Sequence, residues 1–329
     1  MALGRFTLRD PSGIEVELVD LGAAIEVVRT PDRGGRVEDI TLRLDSDEDR
    51  LDHRRNPHLG ITVGRYANRI GPAELVIDGR HHQLTANEGP NQLHGGGGFG
   101  RRRWTGRATA RGVRFELESP SGEMGFPGTI RTSATYELKN AVLSIDLDAT
   151  TDATTVCSMT NHTYWNLGGP QAETIRQHHV QIDATQMVPV GAARLPSGPP
   201  GIVSPPFDFG HPTRLGPAIT NVGPPGFDHC YMVEGDGFRR HARLVHQASG
   251  RCLEVWSAHP ALQFYAGGYL DSPGGGGRAH GPFAGLCLEP QHVPNAPHLE
   301  WAPSTLLLPG QHYHHRIEFR FATTEQLEP

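Results

Sequence analysis

The stretch TNHTYWNLGG, residues 160–169, sets one histidine, His162, among a tyrosine, a tryptophan and two asparagines. An imidazole titrates near neutral pH and can pass a proton in either direction. Aromatic rings and amides of this kind also suit a sugar, whose C–H face they cover and whose hydroxyls they bind. On these residues alone two readings stand: a satisfied histidine in an aromatic core, or an acid/base group beside a sugar platform.

Five further stretches carry polar residues among glycines, asparagines and aromatics: GRYANRI (64–70), NQLHGG (91–96), GFDHCY (226–231), LQFYAG (262–267) and LCLEPQHVPNAP (286–297). Each alone is weak. Together they supply an arginine, histidines, an aspartate, a glutamine and a glutamate, a set suited to proton transfer on a polyhydroxylated ligand. Two other chemistries are testable. HGGGG, at His94 to Gly98, is similar to the oxyanion loop of lipases, but the G-x-S-x-G turn that would supply their nucleophile is absent. His312, His314 and Glu318 have the H-x-H-x-x-x-E spacing of a cupin metal site, and period-two geometry puts them on one strand face. A cupin needs a further histidine on a later strand, and only eleven residues follow Glu318. A polar outer face is the simpler reading, and no metal is expected.

The elements that must hold these groups read as strands. Forty-one glycines and 27 prolines punctuate short segments of alternating apolar residues, the pattern of a β-rich chain. Ile14, Val16 and Leu18 share one face, as do Leu143, Ile145 and Leu147. So do Tyr313, His315, Ile317, Phe319 and Phe321 near the C-terminus. Asp78-Gly79 is a type I′ hairpin signal between two extended arms. The best helix candidate, AETIRQHH near residue 175, is barely two turns, so the crossover helices of a parallel sheet are missing. The expected fold is all-β, a large antiparallel β-sandwich formed by residues 1–329 as a single domain, with loops at 192–206 and 271–282.

The formal net charge is −6 and the basic residues are scattered, which argues against nucleic acid as a partner. Arg101 to Arg103 is the one dense basic spot. The four cysteines, at 157, 230, 252 and 287, include no C-x-x-C pair, although an even count leaves a disulfide open. The first residues, MALGRFTLRD, lack the apolar core of a secretory signal, and no apolar run approaches a membrane span. The expectation is a cytoplasmic protein.

The order and wording of GRYANRI, NQLHGG, TNHTYWNL and the Asp-His of GFDHCY identify the chain as similar to the aldose 1-epimerase (galactose mutarotase) family, firmly from Gly60 through Phe321. The resemblance implies a β-sandwich that interconverts the α and β anomers of a free aldose without cofactor or metal, as a monomer or homodimer. It implies Glu289 as general base and His162 as general acid, with His94 as a second histidine near the sugar ring oxygen. Asn68, Arg69, Tyr164, Asp228 and Gln263 would bind substrate, the small-molecule sugar being the expected partner. The chain departs from the family's usual pattern at Pro290, Asn295, Trp165 and the Ala266-Gly267-Gly268 run, all close in sequence to these positions. Within the same fold, an epimerase for a phosphorylated hexose would use Arg101 to Arg103 as a phosphate clamp. A relative that binds sugar without turnover is the alternative from a different class.

Overall fold

A computed structural model describes residues 2–191, 193–275 and 278–324. Its largest element is a nine-stranded antiparallel sheet. The strands run, edge to edge, Thr105–Ala108, Gly112–Ser119, Ile130–Lys139, Val142–Thr151, Tyr313–Thr323, Arg251–Ser257, Arg239–His246, His178–Ile182 and Thr213–Arg214. A four-stranded sheet, Arg5–Arg9, Glu15–Val19, Ala24–Pro31 and Val37–Asp39, covers part of it. Val16, Leu18, Ile25 and Val28 of this smaller sheet share one buried apolar cluster with Phe115, Tyr136, Leu143, Ile145, Leu147, Ile317 and Phe319 of the larger.

The alternation read along the strands is the alternation observed. Leu143, Ile145 and Leu147 are fully buried, while Asp146 on the opposite face takes a two-pronged ion pair from Arg316 of the neighbouring strand, at 2.9 and 2.6 Å. The last strand, Tyr313–Thr323, lies at the centre of the sheet, between Val142–Thr151 and Arg251–Ser257. Asp78 and Gly79 form the expected two-residue turn, both at positive φ (51° and 72°), between Glu74–Ile77 and Arg80–Gln83.

Three local expectations are corrected. AETIRQHH contributes only the single turn Ile175–Gln177, because His178 begins a strand that pairs with Arg239–His246; sheet pairing outweighs weak helix propensity. The true helices are Asp47–Leu51, capped by Ser46, and Leu215–Val222. Within the expected loop 271–282, Ser272–Gly275 and Arg278–His280 pair as a hairpin, residues 276 and 277 lying outside the described set. The other loop contains the short strand Gly201–Ile202, with residue 192 outside the described set. All four cysteines are free and buried. Among the described residues no helix is long and apolar enough to cross a membrane.

One buried cation fixes the start of GRYANRI. Arg65 is 2% exposed, and its guanidinium donates to Ser119 Oγ and to the carbonyls of Ser119, Pro120, Pro127 and Gly128 at 2.8–3.0 Å. Burial pushes its pKa down to about 10, so it stays charged at neutral pH. A planar fork with five donors fits this cage and an ammonium does not. Arg65→Lys should destabilise the fold by about 2–4 kcal/mol through unpaired buried acceptors. Urea unfolding with an unchanged m-value tests this, and a midpoint equal to wild type would contradict it.

Candidate active site

A second sheet of five strands carries one wall of the site: Gly201–Ile202, Gln186–Met187, Asp228–Met232, Ala261–Tyr265 and Cys287–Gln291. Gln263 sits directly opposite Glu289, and Tyr265 opposite both Cys287 and Asp228. With a side-chain period of two, all five project from the same face. Gln263 Nε2 donates to Asp228 Oδ1 at 2.7 Å.

The facing wall comes from short segments locked by backbone. The strand Thr160–Asn161 pairs with Thr62–Val63. The next residue, His162, exchanges backbone hydrogen bonds with Ile61 O (2.9 Å) and Gly60 N–H (3.0 Å). Arg69–Ile70 pairs with Gln92–Leu93, placing Asn68 beside His94. His94 N–H donates to Asn68 O at 2.9 Å, and Asn68 N–H donates to His94 Nδ1 at 3.2 Å. Since Nδ1 accepts, the ring proton of neutral His94 sits on Nε2, free to point at a ligand. Both residues have positive φ, 64° and 50°. Gly95 must follow: a Cβ there would lie 2.2 Å from Gly64 O.

His94, His162, Glu289, Asn68, Arg69, Tyr164, Asp228 and Gln263 all line one cavity of ≈ 220 Å³. His162 Nε2 stands 3.8 Å from Glu289 Oε1, and His162 Nδ1 lies 3.4 Å from Cys287 Sγ. The His94 and His162 rings are 5.1 Å apart, edge to face. Tyr164 packs 5.0 Å from His162 and anchors its hydroxyl on Pro57 O at 3.2 Å. Trp165 takes no part in the platform: it is buried against Phe319 and Phe321 in the main core.

Sequence reasoning missed several lining residues. Glu88 receives a two-pronged ion pair from Arg69 (2.5 and 2.8 Å) and holds that guanidinium in place. His58, at positive φ, brings a third imidazole 5.0 Å from His94. Arg194 lies over the Tyr269 ring at 4.2 Å, near the cavity edge. These sit in connecting segments without periodicity, so pattern gave no cue. Asn295, one of the departures, adopts φ 60°. It accepts from Gly71 N–H through Oδ1 (2.9 Å) and donates its own N–H to Arg69 O (2.8 Å), bracing the strand that carries Arg69.

Other candidates fall elsewhere. Arg102 pairs with Glu123 and Arg103 with Asp20, and none of Arg101 to Arg103 lines the cavity. His312 and His314 both reach Asp148 on the exposed sheet face, while Glu318 is paired with Arg320. HGGGG forms a tight turn that presents His94 to the cavity.

Burial dominates the electrostatics. It pushes the His162 pKa down to about 3 and that of His58 to about 4, with smaller contributions from His58 in the first case and Arg101 in the second. His94 is likewise held well below the ordinary value. Glu289 moves the other way, pushed up by burial and by the nearby Asp228 carboxylate, with Arg69 opposing. These directions favour the uncharged arrangement of the pair, neutral imidazole and carboxylic acid, over separated charges. The charged arrangement, imidazolium and carboxylate, holds the same number of protons and differs only in where one proton sits.

The depressed imidazoles set a pH dependence. Their folded pKa values lie below the free value near 6.5, so the unfolded chain takes up protons first as pH falls. Their stabilising contribution is complete above about 6.5 and is lost toward the folded values, at up to about 1.4 kcal/mol per pH unit each. Glu289, with a raised pKa, has the opposite sense above the ordinary carboxyl range, but it is one group against three. The urea midpoint should fall between pH 7 and pH 4.5; a flat or rising midpoint would contradict these burial effects.

The family model for aldose 1-epimerase matches residues 4–320. Galactose mutarotase of Bos taurus is 36% identical over 314 residues, covering 94% of this chain and 91% of the relative. Aldose 1-epimerase of Escherichia coli K12 is 35% identical, covering 96% and 94%. Among solved structures, the GalM/aldose epimerase homologue from C. elegans superposes with a TM-score of 0.90 at 28% identity, covering 98% of this chain and 100% of the other. Galactose 1-epimerase from Lactobacillus acidophilus gives 0.83 at 29%, covering 98% and 95%. With that match across nearly its whole length, the chain belongs to the aldose 1-epimerase family, a family of isomerases.

Proposed function

We propose that the chain interconverts the α and β anomers of a free hexose such as galactose or glucose, with Glu289 and His162 moving the protons. The observation that carries this reading is the 3.8 Å approach of His162 Nε2 to Glu289 Oε1 in a cavity that also presents Asn68, Arg69, Asp228 and Gln263, groups able to bind hydroxyls. The two reacting oxygens of a hexopyranose, the anomeric O1 and the ring O5, are both bonded to C1 and fit between such a pair.

In one direction Glu289 takes the O1 proton while His162 gives a proton to O5. The C1–O5 bond breaks, leaving an aldehyde, protonated Glu289 and neutral His162. Rotation about C1–C2 turns the other aldehyde face toward O5. His162 then recovers the O5 proton as that oxygen attacks C1, and Glu289 returns its proton to O1. From the resting tautomer the same cycle runs with the roles exchanged, so one shared proton suffices. His94 Nε2–H supports the ring oxygen, and Asn68, Arg69, Asp228 and Gln263 bind the remaining hydroxyls, with Tyr164 beside the reacting ring.

Charge favours an unphosphorylated substrate. Both guanidiniums that line the cavity, Arg69 and Arg194, lie within ion-pair distance of Glu88. Among the described residues that line the cavity, neither guanidinium is left unpaired for a phosphate. The continuous apolar cluster from Ile14 to Phe321 supports reading the chain as one domain, and four free cysteines suit the reducing cytoplasm.

Polarimetry of freshly dissolved α-D-galactose and α-D-glucose tests the proposal. Wild type should exceed the spontaneous rate, while Glu289→Gln and His162→Gln should each lose about 10²–10⁴ in kcat. Glucose 6-phosphate should be a poor substrate. A folded wild type with no acceleration would sink the reading, and sugar binding without turnover would then favour the binding-only alternative.

A further inference from the structure

A second group of imidazoles gathers outside the cavity. His259 follows the strand Arg251–Ser257, His292 follows Cys287–Gln291, and His315 lies within Tyr313–Thr323. Three strands distant in sequence thus bring three ring-nitrogen atoms within 4.8 Å of one another. The His259 and His315 rings stack at 3.7 Å, and His292 stands perpendicular to both at 5.6 Å. Both nitrogens of His259, and Nδ1 of His292 and of His315, make no hydrogen bond to any described residue. His259 is fully buried, whereas His292 and His315 are partly exposed, with their unpaired Nδ1 atoms turned away from solvent.

We propose that His259, His292 and His315 form a binding site for a borderline divalent transition-metal ion, zinc above all, with solvent completing the coordination. Imidazole donors select zinc and its neighbours over magnesium or calcium, which require oxygen ligands. Three histidines and an open fourth position are an established zinc coordination. Burial holds all three rings neutral, so their lone pairs are available without displacing a proton. Zinc–nitrogen bonds of about 2.0–2.1 Å require the ligand atoms to draw closer. The stacked pair must also splay from its interplanar angle of 10°, so the ring stack opens on binding.

The ion would tie the central strand of the large sheet to the strand bearing Glu289, three residues before His292. A competing group exists: His162, Cys287 and Glu289 also place ligand atoms within 4.8 Å. There a metal must displace protons from a buried thiol and a buried carboxyl, both pushed up by burial, which makes it the poorer site at neutral pH.

Untagged, chelator-treated protein titrated with zinc chloride by calorimetry tests the proposal, with Co²⁺ absorption in the visible as a second signal. The expected result is one ion per chain and a melting temperature raised by roughly 3–8 °C at saturation. His292→Gln and His315→Gln, at partly exposed positions and checked for folding by circular dichroism, should weaken binding on the order of 10²-fold or more. Cys287→Ser should bind as wild type does. Absence of binding, binding that survives both histidine changes, or binding lost only in Cys287→Ser would each overturn the assignment.

Discussion

The constraint on which the site depends is that two titratable groups share a space where burial disfavours the charged form of each. Glu289 and His162 are 2% and 4% exposed, and an isolated charge in such surroundings is strongly disfavoured. Each can change state only if the other changes with it. The 3.8 Å separation makes that exchange local, and a ligand carrying one donor oxygen and one acceptor oxygen can complete the circuit. In the proposed cycle, the same burial couples the two proton transfers of ring opening.

The fold serves this constraint by holding the two groups on different kinds of support. Glu289 lies in a regular strand, where pairing with Gln263 fixes its register. His162 follows a two-residue strand and is fixed by backbone bonds to Gly60 and Ile61. The Asn68–His94 lock costs two residues with positive φ, a conformation unfavourable for side chains other than glycine. It is held by reciprocal hydrogen bonds, by the Arg65 cage upstream and by Asn295 downstream. Strain is thus stored beside the site and offset in segments that touch no ligand.

Much of this was legible in sequence, for identifiable reasons. Period-two alternation exposed Leu143 to Leu147 and Tyr313 to Phe321 as half-buried strands, and Asp78-Gly79 announced its hairpin because only left-handed backbone closes that turn. The eight candidate site residues were recognisable through family resemblance in short, ordered motifs, since no periodicity distinguishes a binding asparagine from a turn asparagine. What alternation could not convey was non-local: the central place of the last strand, the Glu88 clamp on Arg69, and the third imidazole from His58. For Trp165 the sequence left platform and core both open, because an aromatic beside a catalytic candidate reads equally well as either, and the core claimed it.

Ring opening of a hexose already proceeds in water, so a catalyst for it needs position more than chemical force. That explains a site without an activated nucleophile and with its arginines already matched by carboxylates. Arg69 is held by Glu88 before any ligand arrives, so its fork does not have to be ordered on binding, which lowers the entropic cost of recognition. A guanidinium so neutralised still donates hydrogen bonds but contributes little net positive field. Directional recognition without net charge distinguishes hydroxyls from phosphate. The proposed preference for a neutral sugar therefore rests on the same ion pairs that hold Arg69 in place.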